Sequence, residues 1–81
     1  MKRKSLVDEA ATRKLAALTD GPWRGRWYWA DDLEATQESA RRYPPEHPSG
    51  QLQSYVPTSR RVTHPDEPMV SGTAYTYRSA A

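Results

Sequence analysis

Apolar side chains recur at helical spacing through the first part of the chain and form one stripe: Leu6, Val7, Ala10, Ala11, Leu15 and Leu18. Ser5 precedes this stripe in the position of an N-cap, and Asp8 follows three residues later, at the spacing of a capping box. Asp20-Gly21-Pro22 then favours a stop, because glycine suits a helix C-terminus and proline cannot continue a helix. The pattern predicts a helix over residues 5–19.

The next segment, WRGRWYW at residues 23–29, alternates in a way that is typical of a strand. Period-two spacing divides the segment into two faces. One face contains Trp23, Gly25, Trp27 and Trp29, and the other contains Arg24, Arg26 and Tyr28. Since the chain has few other large apolar residues, we expect the tryptophan face to point into the core and the arginine–tyrosine face to point outward.

A second helix is predicted over residues 31–43. Asp31 is suited to be its N-cap, with Glu34 at capping-box spacing, and Pro44 ends the segment. Its apolar side is thin, so Leu33 is expected to be the main anchor of a helix that lies on the surface.

The second half of the chain is rich in proline, with six of the seven prolines at residues 44–68. This composition predicts an extended connection. A short strand is predicted within it at 52–56, and Pro57, which follows, places that strand at the edge of the sheet. A last strand is predicted at 73–78 from the alternation of Thr73, Tyr75 and Tyr77. The fold class that follows is α+β: one small domain over residues 1–81, with two helices on a short antiparallel sheet of about three strands.

Composition restricts how such a domain is stabilised. Leu, Ile, Val and Phe together make up only 9 of 81 residues, and there is no cysteine. A small, sparse core without disulfides favours support from a partner protein or from a second copy of the chain. We therefore expect a protein-binding role, with a partner protein or homo-oligomer and contacts from Arg24, Arg26, Tyr28, Tyr55, Arg60 and Arg61.

Nucleic-acid binding is the alternative function. A basic surface beside aromatic rings suits phosphates and bases, and the residues that would provide it are Lys2, Arg3, Lys4, Arg13, Lys14, Arg24 and Arg26. Against this alternative, the net charge is only +2, and the acidic segment 31–38 directly follows the basic strand.

The sequence contains no catalytic, cofactor or metal-binding motif. His47 and His64 each precede a proline, lie near carboxylates and lack the spacing of metal ligands on a helix, so we interpret them as loop residues. No apolar window is long enough for a membrane span. The expectation is a non-enzymatic cytoplasmic protein without cofactor. Frequent arginine with no isoleucine, asparagine or phenylalanine indicates a GC-rich genome, such as that of an actinobacterium or its phage.

Overall fold

The computed structural model describes residues 6–78 of the 81-residue chain. Within them, a mixed sheet of four strands is combined with two α-helices and one turn of 3-10 helix, giving an α+β fold. The helices are α1 (Leu6–Ala10) and α2 (Ala30–Ala40), and the strands are β1 (Leu15–Leu18), β2 (Trp27–Trp29), β3 (Tyr55–His64) and β4 (Glu67–Tyr77).

The sheet has the strand order β2-β1-β4-β3. Strand β1 is antiparallel to β2 and parallel to β4, while β3 and β4 form a long antiparallel hairpin. The expected sheet of about three antiparallel strands is therefore corrected to four strands in a mixed arrangement. The additional strand is β1, which the sequence pattern had assigned to a helix.

The helix predicted over residues 5–19 divides into α1 and β1. All four residues of β1 are buried, because this strand lies between β2 and β4 and is covered on both faces. A short continuous apolar run satisfies such a position without any alternation. Leu15 and Leu18 fit a helical stripe as well as a buried strand. Burial of the segment between two strands of the sheet favours the strand. The proposed cap at Ser5 lies outside the described residues.

The helix predicted over residues 31–43 is α2, which begins at Ala30 and ends at Ala40. Leu33 anchors it and is only 1% exposed. The predicted N-cap at Asp31 is wrong: Trp29 occupies the cap position without a side-chain hydrogen bond. The Asp31 carboxylate instead accepts a hydrogen bond from Arg13 at 2.8 Å, so its charge is used in a tertiary contact.

The proline-rich connection predicted at residues 44–68 is also corrected. Turns fill residues 44–50, the 3-10 turn Gln51–Ser54 follows, and β3 and β4 take the remainder. Pro57 is tolerated inside β3 because β3 is an edge strand, and the pairing with β4 shifts between Pro57 and Arg61. The short strands predicted at 52–56 and 73–78 are parts of this longer hairpin.

The main core lies between the sheet and α2. Its buried members are Ala16, Leu18, Leu33, Ala40, Leu52 and Tyr55, with Trp23, Tyr28, Tyr75 and Tyr77 packed against them. Tyrosine rings thus supply much of the volume that leucine and isoleucine supply in most domains. The opposite face of the sheet, which contains Leu15, Ala17 and Ala74, is where the candidate site lies.

Candidate functional site: a cleft beside Arg24 and Trp27

The loop that connects β1 to β2 is fixed at its start by Asp20. The Asp20 carboxylate accepts hydrogen bonds from the Thr76 hydroxyl at 2.6 Å and from the Tyr77 backbone N–H at 2.7 Å. These two bonds, that of the Thr76 hydroxyl above all, hold the pKa of Asp20 below its ordinary value. The loop is therefore attached to the end of β4 although it is far away in sequence.

A buried hydroxyl fixes the same loop from beneath. The Tyr55 hydroxyl donates to the Asp20 carbonyl at 2.6 Å and accepts from the Trp23 backbone N–H at 2.8 Å. Burial raises the pKa of this phenol. Tyr55 is only 2% exposed, so its predicted role as a protein-binding residue is corrected to a structural one.

The segment 23–29 is not one continuous strand. Residues 21–25 form a turn with Gly21 and Gly25 at positive φ, and only Trp27–Trp29 pair with β1. Gly25 donates its N–H to the Leu18 carbonyl at 2.8 Å, which starts the hairpin. Glycine is required at residue 25 because a side chain would disfavour this backbone conformation.

The sequence predicts that the tryptophans face the core and that Tyr28 faces outward. In Trp27–Trp29, the residues that pair with β1, the two faces are reversed. Tyr28 packs against the main core and lies opposite Ala16. Trp27 and Trp29 pair with Ala17 and Leu15, so they lie on the other face of the sheet. The reason is that the tyrosine-based core accepts Tyr28, while the small residues of the opposite face leave room for indole rings.

Trp27 is held in place on that opposite face. Its ring lies 4.7 Å from the ring of His64 at the end of β3. Gly72 of β4 leaves the space that the indole fills, because a Cβ at this position would come within 2.8 Å of the Trp27 ring. The orientation of Trp27 is thus set by groups from two other strands.

A cleft of about 330 Å³ opens next to Trp27 on this face. Two segments line it, one from β1 and the loop to β2, the other from the end of β3 and the turn that follows. The first provides Ala17, Leu18, Arg24 and Trp27, and the second provides Val62, Thr63 and Pro65. We call this feature the Arg24–Trp27 cleft.

The charged groups beside the cleft are available for binding. Arg24 and Arg26 are exposed, and neither forms an ion pair within residues 6–78. The Arg26 guanidinium lies over the Trp23 ring at 5.3 Å, which orients it. Of these two predicted protein-binding residues, Arg24 lines the cleft, whereas Arg26 does not.

Arg60 and Arg61 lie on the exposed edge strand β3. Arg61 donates hydrogen bonds to the Thr73 hydroxyl at 3.2 Å and to the Ser71 hydroxyl at 3.0 Å. Arg60 is close enough to Asp20 to contribute to lowering the pKa of that carboxyl. Both are solvent-accessible, and neither lines the cleft.

The residues proposed for nucleic-acid binding do not form one surface in the described part of the chain. Arg13 is surrounded by carboxylates: it pairs with Asp31 at 2.8 Å, Asp32 at 3.3 Å and Glu9 at 3.5 Å. Its guanidinium also lies over the Trp29 ring at 4.6 Å. Lys14 is exposed beside it, at the opposite end of β1 from Arg24 and Arg26. Lys2, Arg3 and Lys4 lie outside the described residues.

The two histidines organise turns. In both His-Pro sequences the ring Nδ1 accepts the backbone N–H two residues later: Ser49 for His47 at 3.0 Å and Asp66 for His64 at 3.1 Å. Within residues 6–78, no group of three histidine or acidic side chains could hold a metal ion. No helix in this part of the chain has the length and apolar character needed to cross a membrane.

Sequence reasoning missed the second wall of the cleft. Val62, Thr63 and Pro65 carry no local pattern that indicates a site, and they reach Trp27 only through the pairing of β3 with β4. The repeated His-Pro sequence was the one available signal, since it marks the turn beside Trp27. Comparison of the chain with protein-family models, curated proteins and solved structures yields no match.

Proposed function

We propose that this chain is a small non-enzymatic protein-binding module that contacts its partner through the Arg24–Trp27 cleft. The observation that carries the proposal is an exposed arginine without an ionic partner among the described residues, at a preformed cleft lined by a tryptophan. Tryptophan and arginine are the residues most enriched in binding hot spots.

Preorganisation supports the proposal. Trp27 is fixed by His64 and Gly72, and the loop that carries Arg24 is fixed by Asp20 and Tyr55. A partner would therefore bind without ordering this loop, which reduces the entropy lost on association. The sparse apolar composition adds a second reason, because a bound partner stabilises a marginal fold by mass action.

The proposed role is that of an accessory protein in the cytoplasm. The partner would be a host enzyme or regulator, or a virion subunit if a phage encodes the chain. This part of the proposal rests on the amino-acid composition, which is rich in arginine and lacks isoleucine, asparagine and phenylalanine, as in proteins of GC-rich genomes.

Affinity capture from the source cells tests the protein-binding role. Three tagged forms are compared. They are the wild type, a cleft variant with Arg24→Ala/Arg26→Ala, and a control variant with Arg41→Ala/Arg42→Ala, which removes the same charge at the two residues that follow α2. We expect the cleft variant to lose the captured partner and the control variant to keep it. Equal recovery by all three forms would exclude the cleft as the contact surface.

Nucleic-acid binding is the second candidate, and the unpaired Arg24 and Arg26 are the observation that favours it. The neutralisation of Arg13 by three carboxylates makes it the weaker candidate, because fewer cations then face one phosphate backbone. A titration of single-stranded and duplex DNA at low salt tests it. Binding that weakens steeply with salt and is lost in Arg24→Ala/Arg26→Ala would favour this function over the first.

A further inference from the structure

The Arg24–Trp27 cleft is small and apolar in most of its lining. Its volume of about 330 Å³ is at the lower end of the range of ligand pockets, about 300–1,000 Å³. A cleft of this size accepts one or two side chains of a partner and excludes a whole helix or strand. Because Ala17 and Leu18 are only 2% exposed, its accessible apolar surface comes from Trp27, Val62 and Pro65. An apolar side chain is therefore the group that gains most by entering.

The charge at the cleft has one sign. Arg24 contributes to the lining and is exposed, and no carboxylate lies within ion-pair distance of it in residues 6–78. Asp66 follows Pro65 of the second wall and is not among the residues that line the cleft. A carboxylate on the ligand is therefore the group that complements this rim.

Hydrogen-bonding groups are few inside the cleft. Four of the lining side chains carry polar atoms, namely Thr19, Arg24, Trp27 and Thr63, and the Thr19 hydroxyl already donates to the Tyr75 carbonyl at 2.9 Å. A ligand with several polar groups would leave them unpaired on entering, which costs binding free energy. The inserted group must therefore be apolar, with its charged group at the rim.

From this arrangement we infer that the occupant of the cleft is a segment of a partner protein in which an apolar side chain stands next to an aspartate or glutamate. The apolar side chain fills the space between Trp27 and Val62, and the carboxylate pairs with the Arg24 guanidinium. This inference rests on the proposed function and adds the chemistry of the partner's contact segment.

Selection from a random peptide display library against the full chain tests the inference. We expect enriched peptides to share a large apolar residue adjacent to Asp or Glu. Against an Arg24→Glu variant the acidic preference should change to Lys or Arg, with at least a tenfold loss of affinity for the wild-type peptides. An Arg42→Glu variant should enrich the same peptides as the wild type.

A second variant separates the cleft from the surrounding surface. Thr63 is exposed in the wall of the cleft, so Thr63→Trp fills the space while Arg24 is kept. We expect the selected peptides to lose binding to this variant, with far-UV circular dichroism and melting temperature unchanged. Retained binding would overturn the inference, as would enrichment without acidic residues.

Two further outcomes would also contradict the inference. Concentration-dependent dimerisation by light scattering that is lost in Arg24→Glu would show that a second copy is the occupant. Cellular capture that depends on Arg24 and Arg26, combined with selected peptides that lack the apolar–acidic pair, would refute this ligand chemistry and leave the protein-binding role standing.

Discussion

Gly21 lies directly against Tyr77, so closely that a Cβ at residue 21 would be 2.5 Å from the Tyr77 Cβ. The contact joins the first residues after β1 to the last residue of β4, and the Asp20 hydrogen bonds surround it. Gly21 also has φ +75°, a conformation that side chains rarely adopt. The loop that carries Arg24 therefore depends on a residue without a side chain at this point.

Gly21→Ala should destabilise the fold by about 3 kcal/mol or more, because the strain of a positive φ adds to an overlap that backbone movement must relieve. Gly25→Ala is the matched control: Gly25 also has positive φ, yet nothing lies within 4 Å of its missing Cβ. We expect about 1–2 kcal/mol for the control. Urea denaturation of both variants measures the difference, and equal losses would show that the Gly21 contact is unimportant.

Tyr55→Phe should lower the free energy of unfolding by about 1–3 kcal/mol, because the Asp20 carbonyl and the Trp23 N–H both lose their partner. Tyr77→Phe is the control, since the Tyr77 hydroxyl forms no hydrogen bond within residues 6–78. That change should stay within about 0.5 kcal/mol. Thermal unfolding followed by circular dichroism compares them. Similar losses in the two variants would contradict the role assigned to Tyr55.

The Asp20 carboxylate should make stability pH-dependent in acid. Its pKa is lowered in the folded chain, first by the Thr76 hydroxyl and then by the Tyr77 N–H. The stabilisation is therefore present above the unfolded pKa of about 3.9 and is lost as the pH falls through the lower folded pKa. Thr76→Val should move the pKa of Asp20 upward, which carboxyl-carbon NMR titration measures. An unchanged pKa would show that the Thr76 hydroxyl is not the cause.

Gly72→Ala should displace the Trp27 ring and disturb the cleft. The added Cβ would lie 2.8 Å from that ring and 3.0 Å from the Leu15 carbonyl, so both the indole and the backbone must shift. Overpacking of this kind costs about 1–3 kcal/mol. Proton NOEs between Trp27 and His64 report the displacement. Ser71→Ala, at the exposed neighbouring position, should keep these NOEs, and their persistence in Gly72→Ala would contradict the packing described.

Local patterns in the sequence predicted the second helix and its anchor Leu33, because these depend on spacing within one segment. The assignment of Leu15 and Leu18 failed since two leucines three residues apart fit a helix and a buried strand equally well. Only the pairing of β1 with β2 and β4 distinguishes them. The cleft was beyond prediction for a similar reason: Arg24 was identified locally, but Val62 and Thr63 join it through the β3–β4 hairpin.

Tyr28 shows the same limit. Alternation correctly separates Tyr28 from its tryptophan neighbours, but it does not say which face is covered by α2. That depends on the core around Leu33, which accepts Tyr28, and on Gly72, which makes room for Trp27 on the other side.

The central claim, that the Arg24–Trp27 cleft is where a partner protein binds, is tested most directly by photo-crosslinking in the source cells. Benzoylphenylalanine is placed at Asp66, the exposed residue that follows Pro65 of the cleft wall and leaves the cleft itself open, or at Ala35 on the exposed side of α2 as the control. The account predicts a crosslinked partner from position 66 that disappears when Arg24→Glu is added, and none from position 35. Crosslinks from position 35 alone, or from both positions regardless of Arg24, would contradict it.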